Sequence, residues 1–419
     1  MSAIGQHSGG ETALVGQKVP QRRARLSLVA WIGLVGLVGL IGLGAWYVAC
    51  VGFGVQTMGD YASDFAPAMA ALLAGHVHAF FASLPVDGAG GSLLLRAPAA
   101  LIAKALGAGE LGVFRAGAFE CVMALGILGL CLQSGMRRRG APLIGRAALV
   151  GLLVAAPLLL GDVLFGHPEE ALGAALCVVS VLLAAERRPA LAGLALGLAV
   201  VNKPWGAIAA IPALLVLPRG GRVRFVACAL AAALPWLAAS ALVASSAFSR
   251  ELGAVWPVAH PVDVWWPLAA PTIAPGGMHV WFAPAFLAKH GRELIVLVPL
   301  AATLALAPFG ERTLERSLAL LALAFLIRCL VDPSNHIYYQ LPFVVALAAY
   351  EARTRSAPVL ALLATALMWF VFHTISGIAG LEVQFLSYMA VALPLLAILV
   401  AEVLPRPVWL GRAAIVRGP

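Results

Sequence analysis

The sequence predicts an all-α polytopic membrane protein, and three observations carry that expectation. Of its 419 residues, 62% are hydrophobic and only 11% are charged, against about 25% charged in a typical soluble domain. The mean hydropathy is +0.96. The apolar residues also fall in runs long enough to cross about 30 Å of hydrocarbon at about 1.5 Å per residue. A soluble enzyme, a nucleic-acid binder and a disordered chain are thereby excluded, because so little polar surface cannot cover so large an apolar core. The cysteines, at 50, 121, 131, 177, 228 and 329, lie in apolar stretches without a Cys-x-x-Cys pair. They read as small buried residues.

The elements follow in order. Residues 1–27 form a polar tail ending in Arg22, Arg23 and Arg25. The apolar run 28–51 is a first span, too long for the core of a cleaved signal, about 7–15 residues. A large first outer loop covers about 52–111. Further spans are expected over 112–132, 147–165, 170–185, 225–247, 292–309, 315–331, 339–351, 357–376 and 384–404, with a second outer loop at about 248–290. Residues 405–419 form a closing tail, so 28–404 is one transmembrane domain of about 10 full spans. With the N-terminus inside, 20 of the 28 basic residues fall on the cytoplasmic face, as the positive-inside bias requires. Both termini are then cytoplasmic.

One segment breaks the alternation. Arg187 with Arg188, and Arg219 with Arg222 and Arg224, all favour the inside, yet only 189–217 separates them. Each half of that stretch is too short to span, and Pro204 disfavours helix at Lys203. A pair of half-length helices is expected, its tip carrying Lys203 at membrane depth. Irregular backbone there is tolerated only inside protein or beside a wet cavity.

The polar residues collect at the outer side. Asp60 and Asp64 follow the first span in Gly59-Asp60-Tyr61-Ala62-Ser63-Asp64. Either carboxylate suits a general base on a hydroxyl, while Asp64 equally suits the N-cap of a following helix. Asp162, His167 and Glu169 cluster in Asp162-Val163-Leu164-Phe165-Gly166-His167-Pro168-Glu169-Glu170, where the two glutamates also suit a helix start. An ammonium at the depth of Lys203 needs a partner, either an anionic phosphate or a carboxylate such as Asp162 or Asp64. Arg328 poses the same question, with Asp332 as a local i,i+4 partner. Asn335, His336 and Tyr338, in Asp332-Pro333-Ser334-Asn335-His336-Ile337-Tyr338-Tyr339, suit a hydroxyl-rich ligand, and the tyrosines equally an interfacial belt. Trp256, Trp265, Trp266 and Trp281 in the second loop suit either sugar faces or lipid. Neither a Walker motif nor a Gly-x-Gly-x-x-Gly turn is present, so no cofactor is expected; a divalent metal on His76-x-His78 or the outer acids stays conceivable, but no tight ligand spacing recurs to support it.

With these residues in view, the chain resembles the GT-C superfamily of membrane glycosyltransferases. The nearest look is to the bacterial polyprenol-phosphate-sugar-dependent enzymes of glycosyltransferase family 87, many of them mannosyltransferases. Four places carry it: Asp60 and Asp64 leading into Ala68–Gly75; Gly166-His167-Pro168-Glu169; the small-residue run 191–199 into Asn202-Lys203-Pro204; and Asp332-Pro333 with Tyr338-Tyr339 and Glu351. Where the family shows Asp-Phe-x-x-Tyr, this chain reads Asp64-Phe65-Ala66-Pro67-Ala68. The resemblance implies an inverting hexosyltransferase of the bacterial inner membrane, its site facing the periplasm. The sugar, mannose first, would pass from a polyprenyl-phosphate donor to a lipid or glycan acceptor. Asp64 or Asp60 would be the base, Lys203 and Arg328 would bind the phosphate, and His167, Glu169, Asp162, Asn335, His336 and Tyr338 would bind substrate. A transporter or lipid flippase would also explain a broken helix with an intramembrane lysine, but leaves the large outer loops idle.

Overall fold

The computed structural model describes residues 58–84, 90–243, 258–273 and 279–405, all within one compact unit. The expected span over 28–51, the N-terminal tail, Trp256 and residues 406–419 lie outside the described residues.

The segment expected as the first outer loop is itself helical. It holds α1 (Tyr61–Asp64), α2 (Ala66–Leu73), α3 (Val77–Ala82) and α4 (Gly90–Ala105). Then come α5 (Glu110–Arg138), α6 (Leu143–Ala155), α7 (Pro157–Leu164), α8 (Glu169–Ala185), α9 (Pro189–Asn202), α10 (Ala210–Val216) and α11 (Arg222–Val243). The chain closes with α12 (Ala285–Leu306), α13 (Leu314–Val331), α14 (Gln340–Thr354), α15 (Val359–Trp369) and α16 (Leu381–Val403). Helix thus lies over each of the nine later apolar segments. Among the described residues five helices are long and apolar enough to cross a membrane: Glu110–Arg138, Leu143–Leu164, Arg219–Val243, Val359–Ile378 and Leu381–Val403.

Two of the breaks have one cause. Ala156 and Lys203 each precede a proline and hold extended ψ angles of 145° and 140°, as the clash with a following proline ring demands. At Lys203 the break separates α9 from a 3₁₀ turn, Pro204–Ala209, leading into α10. The two short pieces fold back so that Gly221 lies beside Pro189.

The core is formed by α8, α13 and α14, whose residues are buried almost throughout. By contrast, α11 buries only Phe225, Ala233 and Ser240 and shows Val223, Val226, Leu230 and Leu234 outward, the surface expected of a helix facing acyl chains. Arg139 donates to Ala352 O at the close of α14. Arg316 donates to the closing carbonyls of two helices, Leu306 O at 2.7 Å and Val403 O at 2.9 Å. Glu351 accepts from the amides of Leu360 (3.0 Å) and Ala361 (2.8 Å) at the start of α15, which accounts for a buried acid in that position.

Among the described residues the fold departs from all-α in one place. In the segment expected as the second outer loop, β1 (Ala270–Ile273) pairs antiparallel with β2 (His279–Phe282). Thr272, Ile273, Val280, Trp281 and Phe282 are strand formers, in runs too short to register when apolar spans are sought.

The small-residue run 191–199 allows close helix contact, since a Cβ at Gly193 would sit 2.1 Å from Phe225 O and one at Gly197 2.5 Å from Ala229 O. Gly193→Ala should therefore lower the melting temperature in detergent, losing roughly 1–3 kcal/mol to overpacking. Gly151→Ala, which meets nothing within 4 Å, should leave it level or raise it slightly. Equal behaviour of the two variants would contradict the close contact.

Candidate functional site

The centre is a pair of adjacent acids at a helix start. Glu169 and Glu170 occupy the first turn of α8, where the helix dipole favours negative charge. Both are fully buried. Two bare carboxylates in an apolar interior are untenable without cations, and three other segments supply them. Lys203 Nζ lies 2.8 Å from Glu170 Oε1 and 3.3 Å from Glu169 Oε1. Arg328 Nη1 reaches Glu170 Oε2 at 3.5 Å, and Arg96 Nη2 reaches Glu169 Oε2 at 3.6 Å. Trp205 Nε1 donates to Glu170 at 3.3 Å, and Asn202 Nδ2 donates to the Glu169 carbonyl at 2.8 Å. Arg328 also lies over Trp205 at 4.8 Å and Tyr339 at 4.6 Å.

The extended backbone at Lys203 is what aims its side chain at these acids. Lys203 thus pairs directly with Glu170 and Glu169, the acids at the start of α8, with Asp162 within Coulombic reach. Arg328 likewise pairs across the bundle with Glu170, while Asp332 Oδ1 accepts from the Ser334 amide at 3.0 Å.

A histidine joins this network to the surface. His167 Nδ1 is 2.9 Å from Glu169 Oε1, and its Nε2 is 3.3 Å from Asp60 Oδ2. The Asp60 side chain is 57% exposed, that of His167 only 6%. Two left-handed glycines bring them together. Gly59 has φ +51° and Gly166 φ +90°, and each packs its bare Cα on the other turn. A Cβ at Gly166 would lie 2.4 Å from Met58 O, and one at Gly59 2.5 Å from Phe165 O. The contact is closed by the Asp60 amide donating to Phe165 O at 3.0 Å. The His167 ring stacks on Tyr338 at 4.3 Å and meets the edge of Phe65 at 6.0 Å.

The electrostatics follow from these bonds. The His167 hydrogen bond holds the Asp60 carboxyl below its usual value, against a smaller opposing effect of burial. For His167, burial works against the charged form, but the bonds to Asp60 and Glu169 outweigh it and raise the imidazole to about 9. His167 is therefore an imidazolium at neutral pH, held between two carboxylates.

The other expected site residues take different places. Asp64 is half-buried at the end of α1, where its Oδ1 accepts from Ser63 Oγ at 2.8 Å; the N-cap of α2 is Phe65. Asp162 is fully buried within Coulombic reach of Glu169, Glu170 and Lys203. It faces the Ala171 amide, yet neither oxygen completes a hydrogen bond among the described residues. Asn335 is built into the wall: Nδ2 donates to Val262 O at 2.6 Å and to Tyr388 Oη at 3.1 Å, and Oδ1 accepts from Gln340 at 2.8 Å. His336 is partly exposed and stacks on Tyr338 at 5.2 Å. Sequence reasoning did not single out Arg96, His260 or the pairing role of Glu170. The signal for Arg96 was a lone cation within Leu93-Leu94-Leu95-Arg96-Ala97-Pro98. Among the described residues no three His, Cys, Asp or Glu side chains are grouped to hold a metal.

Two recesses lie elsewhere. One of about 660 Å³ lies between Glu311, Arg316, Tyr350 and Glu402. Another, of about 280 Å³, lies beside Tyr61, lined by Ala66, Met69, Leu73, Lys104 and Glu110.

Because His167 titrates near 9 in the fold and near 6.5 when unfolded, the stability it lends is complete below about pH 6.5, on the order of 3 kcal/mol. That stability is lost as the pH rises toward 9. The melting temperature in detergent should fall across this window, and His167→Asn should remove that step. A pH profile unchanged by His167→Asn would refute the imidazolium bridge. Glu170→Gln, which strips Lys203 and Arg328 of their shared anion, should destabilise by about 3–5 kcal/mol.

No family model matches the chain, and no curated protein matches it. Among solved structures the chain is similar to ArnT from Cupriavidus metallidurans bound to undecaprenyl phosphate. The two are 16% identical with a TM-score of 0.47, over 88% of this chain and 77% of that one.

Proposed function

We propose that the protein is an integral membrane glycosyltransferase. It moves a sugar from a polyprenyl-phosphate-linked donor to an acceptor hydroxyl at the outer face of a bacterial inner membrane. The observation that carries this reading is the half-exposed carboxylate of Asp60, tied through His167 to a fully buried ion network in an apolar helix bundle. Such an arrangement fixes one carboxylate at the edge of the hydrocarbon and keeps it ionised, which is what a base for a lipid-borne reaction needs.

In this reading the acceptor oxygen attacks the anomeric carbon. Its proton passes to Asp60, the bond from the anomeric carbon to the phosphate oxygen breaks, and polyprenyl phosphate leaves with the electron pair. Attack opposite the leaving group inverts the configuration. The phosphate gains negative charge as it departs, so it needs nearby cations more than a proton. Lys203 and Arg328 are the cations proposed for it, already charged and held by Glu170. The mostly apolar recess beside Tyr61 supports a substrate with a lipid portion. A hexose, mannose first, is the proposed sugar.

Asp60 rather than Asp64 is the proposed base, because it is Asp60 that joins His167. Transfer is measured with protein in nanodiscs, labelled polyprenyl-phosphate mannose, glucose or arabinose, and an envelope lipid and glycan extract as acceptor. Asp60→Asn should lower it by at least about 10²-fold, with the melting temperature showing that the fold is retained. Asp64→Asn should cost no more than a few-fold. The reverse order would move the base to Asp64, and gradient-driven uptake without any covalent product would overturn the transferase reading.

A further inference from the structure

Four rings stand in a row beside the proposed base. His167 stacks on Tyr338, Tyr338 lies nearly parallel to His336 with centroids 5.2 Å and planes 10° apart, and His336 meets His260 at 4.5 Å. The row runs from the second outer loop to the residue that holds Asp60. Its last two members differ from the first. His167 has both ring nitrogens bonded, whereas neither His260 nor His336 has a side-chain hydrogen bond among the described residues. Both residues are partly exposed.

The pair is rigidly placed. Asn335 Nδ2 donates to Val262 O at 2.6 Å, Ser334 Oγ to Val258 O at 3.1 Å, and Trp265 Nε1 to Val331 O at 2.8 Å. These bonds lace 258–265 to 331–335 on either side of the two imidazoles. The backbone adds Ala259 N to Trp281 O at 2.8 Å and Val264 N to Leu330 O at 2.9 Å. Burial lowers both rings, His336 to about 3, so at neutral pH each is an uncharged imidazole with one N–H donor and one bare acceptor nitrogen.

That chemistry selects a class of ligand. Two neutral rings do not attract a phosphate, and four unpaired nitrogens do not suit an acyl chain. The donor and acceptor nitrogens of the two imidazoles suit the hydroxyls of a sugar. We propose that His260 and His336 form a hydroxyl-reading subsite for the transferred sugar, so that the second outer loop sets which sugar is accepted. The proposal rests on the transferase reading above.

Two measurements test it, each made on the full chain in nanodiscs. The first compares binding of sugar-bearing polyprenyl phosphate with that of bare polyprenyl phosphate. The second compares kcat/KM for donors carrying sugars that differ at one hydroxyl. His260→Ala should weaken the sugar-bearing donor roughly five- to tenfold, the size of one hydrogen bond, with bare polyprenyl phosphate unchanged. It should also bring the kcat/KM ratio of the paired donors toward one. His260→Gln, which keeps a donor and an acceptor, should retain more of that ratio than His260→Ala. Equal loss for bare and sugar-bearing lipid, or an unchanged ratio, overturns the subsite while leaving transferase activity standing. A wild-type protein that transfers nothing, yet loses its sugar-dependent binding in His260→Ala, overturns the transferase reading while leaving the subsite standing.

Discussion

Burying Glu169 and Glu170 side by side is the constraint on which the rest of this structure depends. A buried carboxylate carries a desolvation penalty of several kcal/mol, offset only by close cations and full hydrogen bonding. The chain meets this with groups from four separate segments: Arg96 from α4, His167 from the turn before α8, Lys203 from the break after α9, and Arg328 from α13. Each is far from the others in sequence, so none can pair until the helices have assembled around α8. The same pairs that neutralise the acids therefore fix how α4, α9 and α13 are set against α8. Breaking any one pair strands a charge inside the bundle, which costs more than the pair itself contributes.

This constraint also explains which parts of the site were legible in the sequence. The break at Lys203 was readable because a lysine and a proline in an apolar stretch conflict with both lipid and helix, wherever their neighbours lie. The charged motifs around Asp60 and His167 stood out for the same reason. The partners did not. Nothing local shows that Lys203 meets Glu170 rather than Asp162, because Glu170 and Asp162 lie on the same short stretch and differ only in the direction their helices aim them. Arg328 had an apparent partner four residues away in Asp332, and the fold instead places a carboxylate from another helix closer. Arg96 looked like an ordinary loop cation because its helix belongs to a segment too weakly apolar to read as a span.

Asp60 and Asp64 illustrate how finely such placement acts. They share a charge, a loop and one short helical turn, so composition and spacing treat them alike. The fold separates them through two glycines. Because Gly59 and Gly166 both adopt left-handed backbone, the turns bearing Asp60 and His167 interlock, and Asp60 reaches the imidazolium. A side chain at either glycine would push the turns apart by its own Cβ. Asp60 is consequently the end of a continuous path, Asp60 to His167 to Glu169 to Lys203 and Arg96, that links a solvent-facing carboxylate to fully buried charges.

That path bears on how any anion would be received. Lys203 and Arg328 are not idle cations, since each faces Glu170 within 3.5 Å, and a phosphate reaching either must compete with a carboxylate already in place. Such competition favours the more strongly charged anion. A phosphate diester carries one negative charge, as does the glutamate, whereas a departing phosphate monoester carries nearly two at neutral pH. Cations shared with Glu170 would thus respond weakly to an intact sugar-phosphate lipid and more strongly to the group it becomes as the glycosidic bond breaks. An ion network balanced in the resting state is, on this argument, better suited to discriminate a transition state from a ground state than a pair of free cations would be.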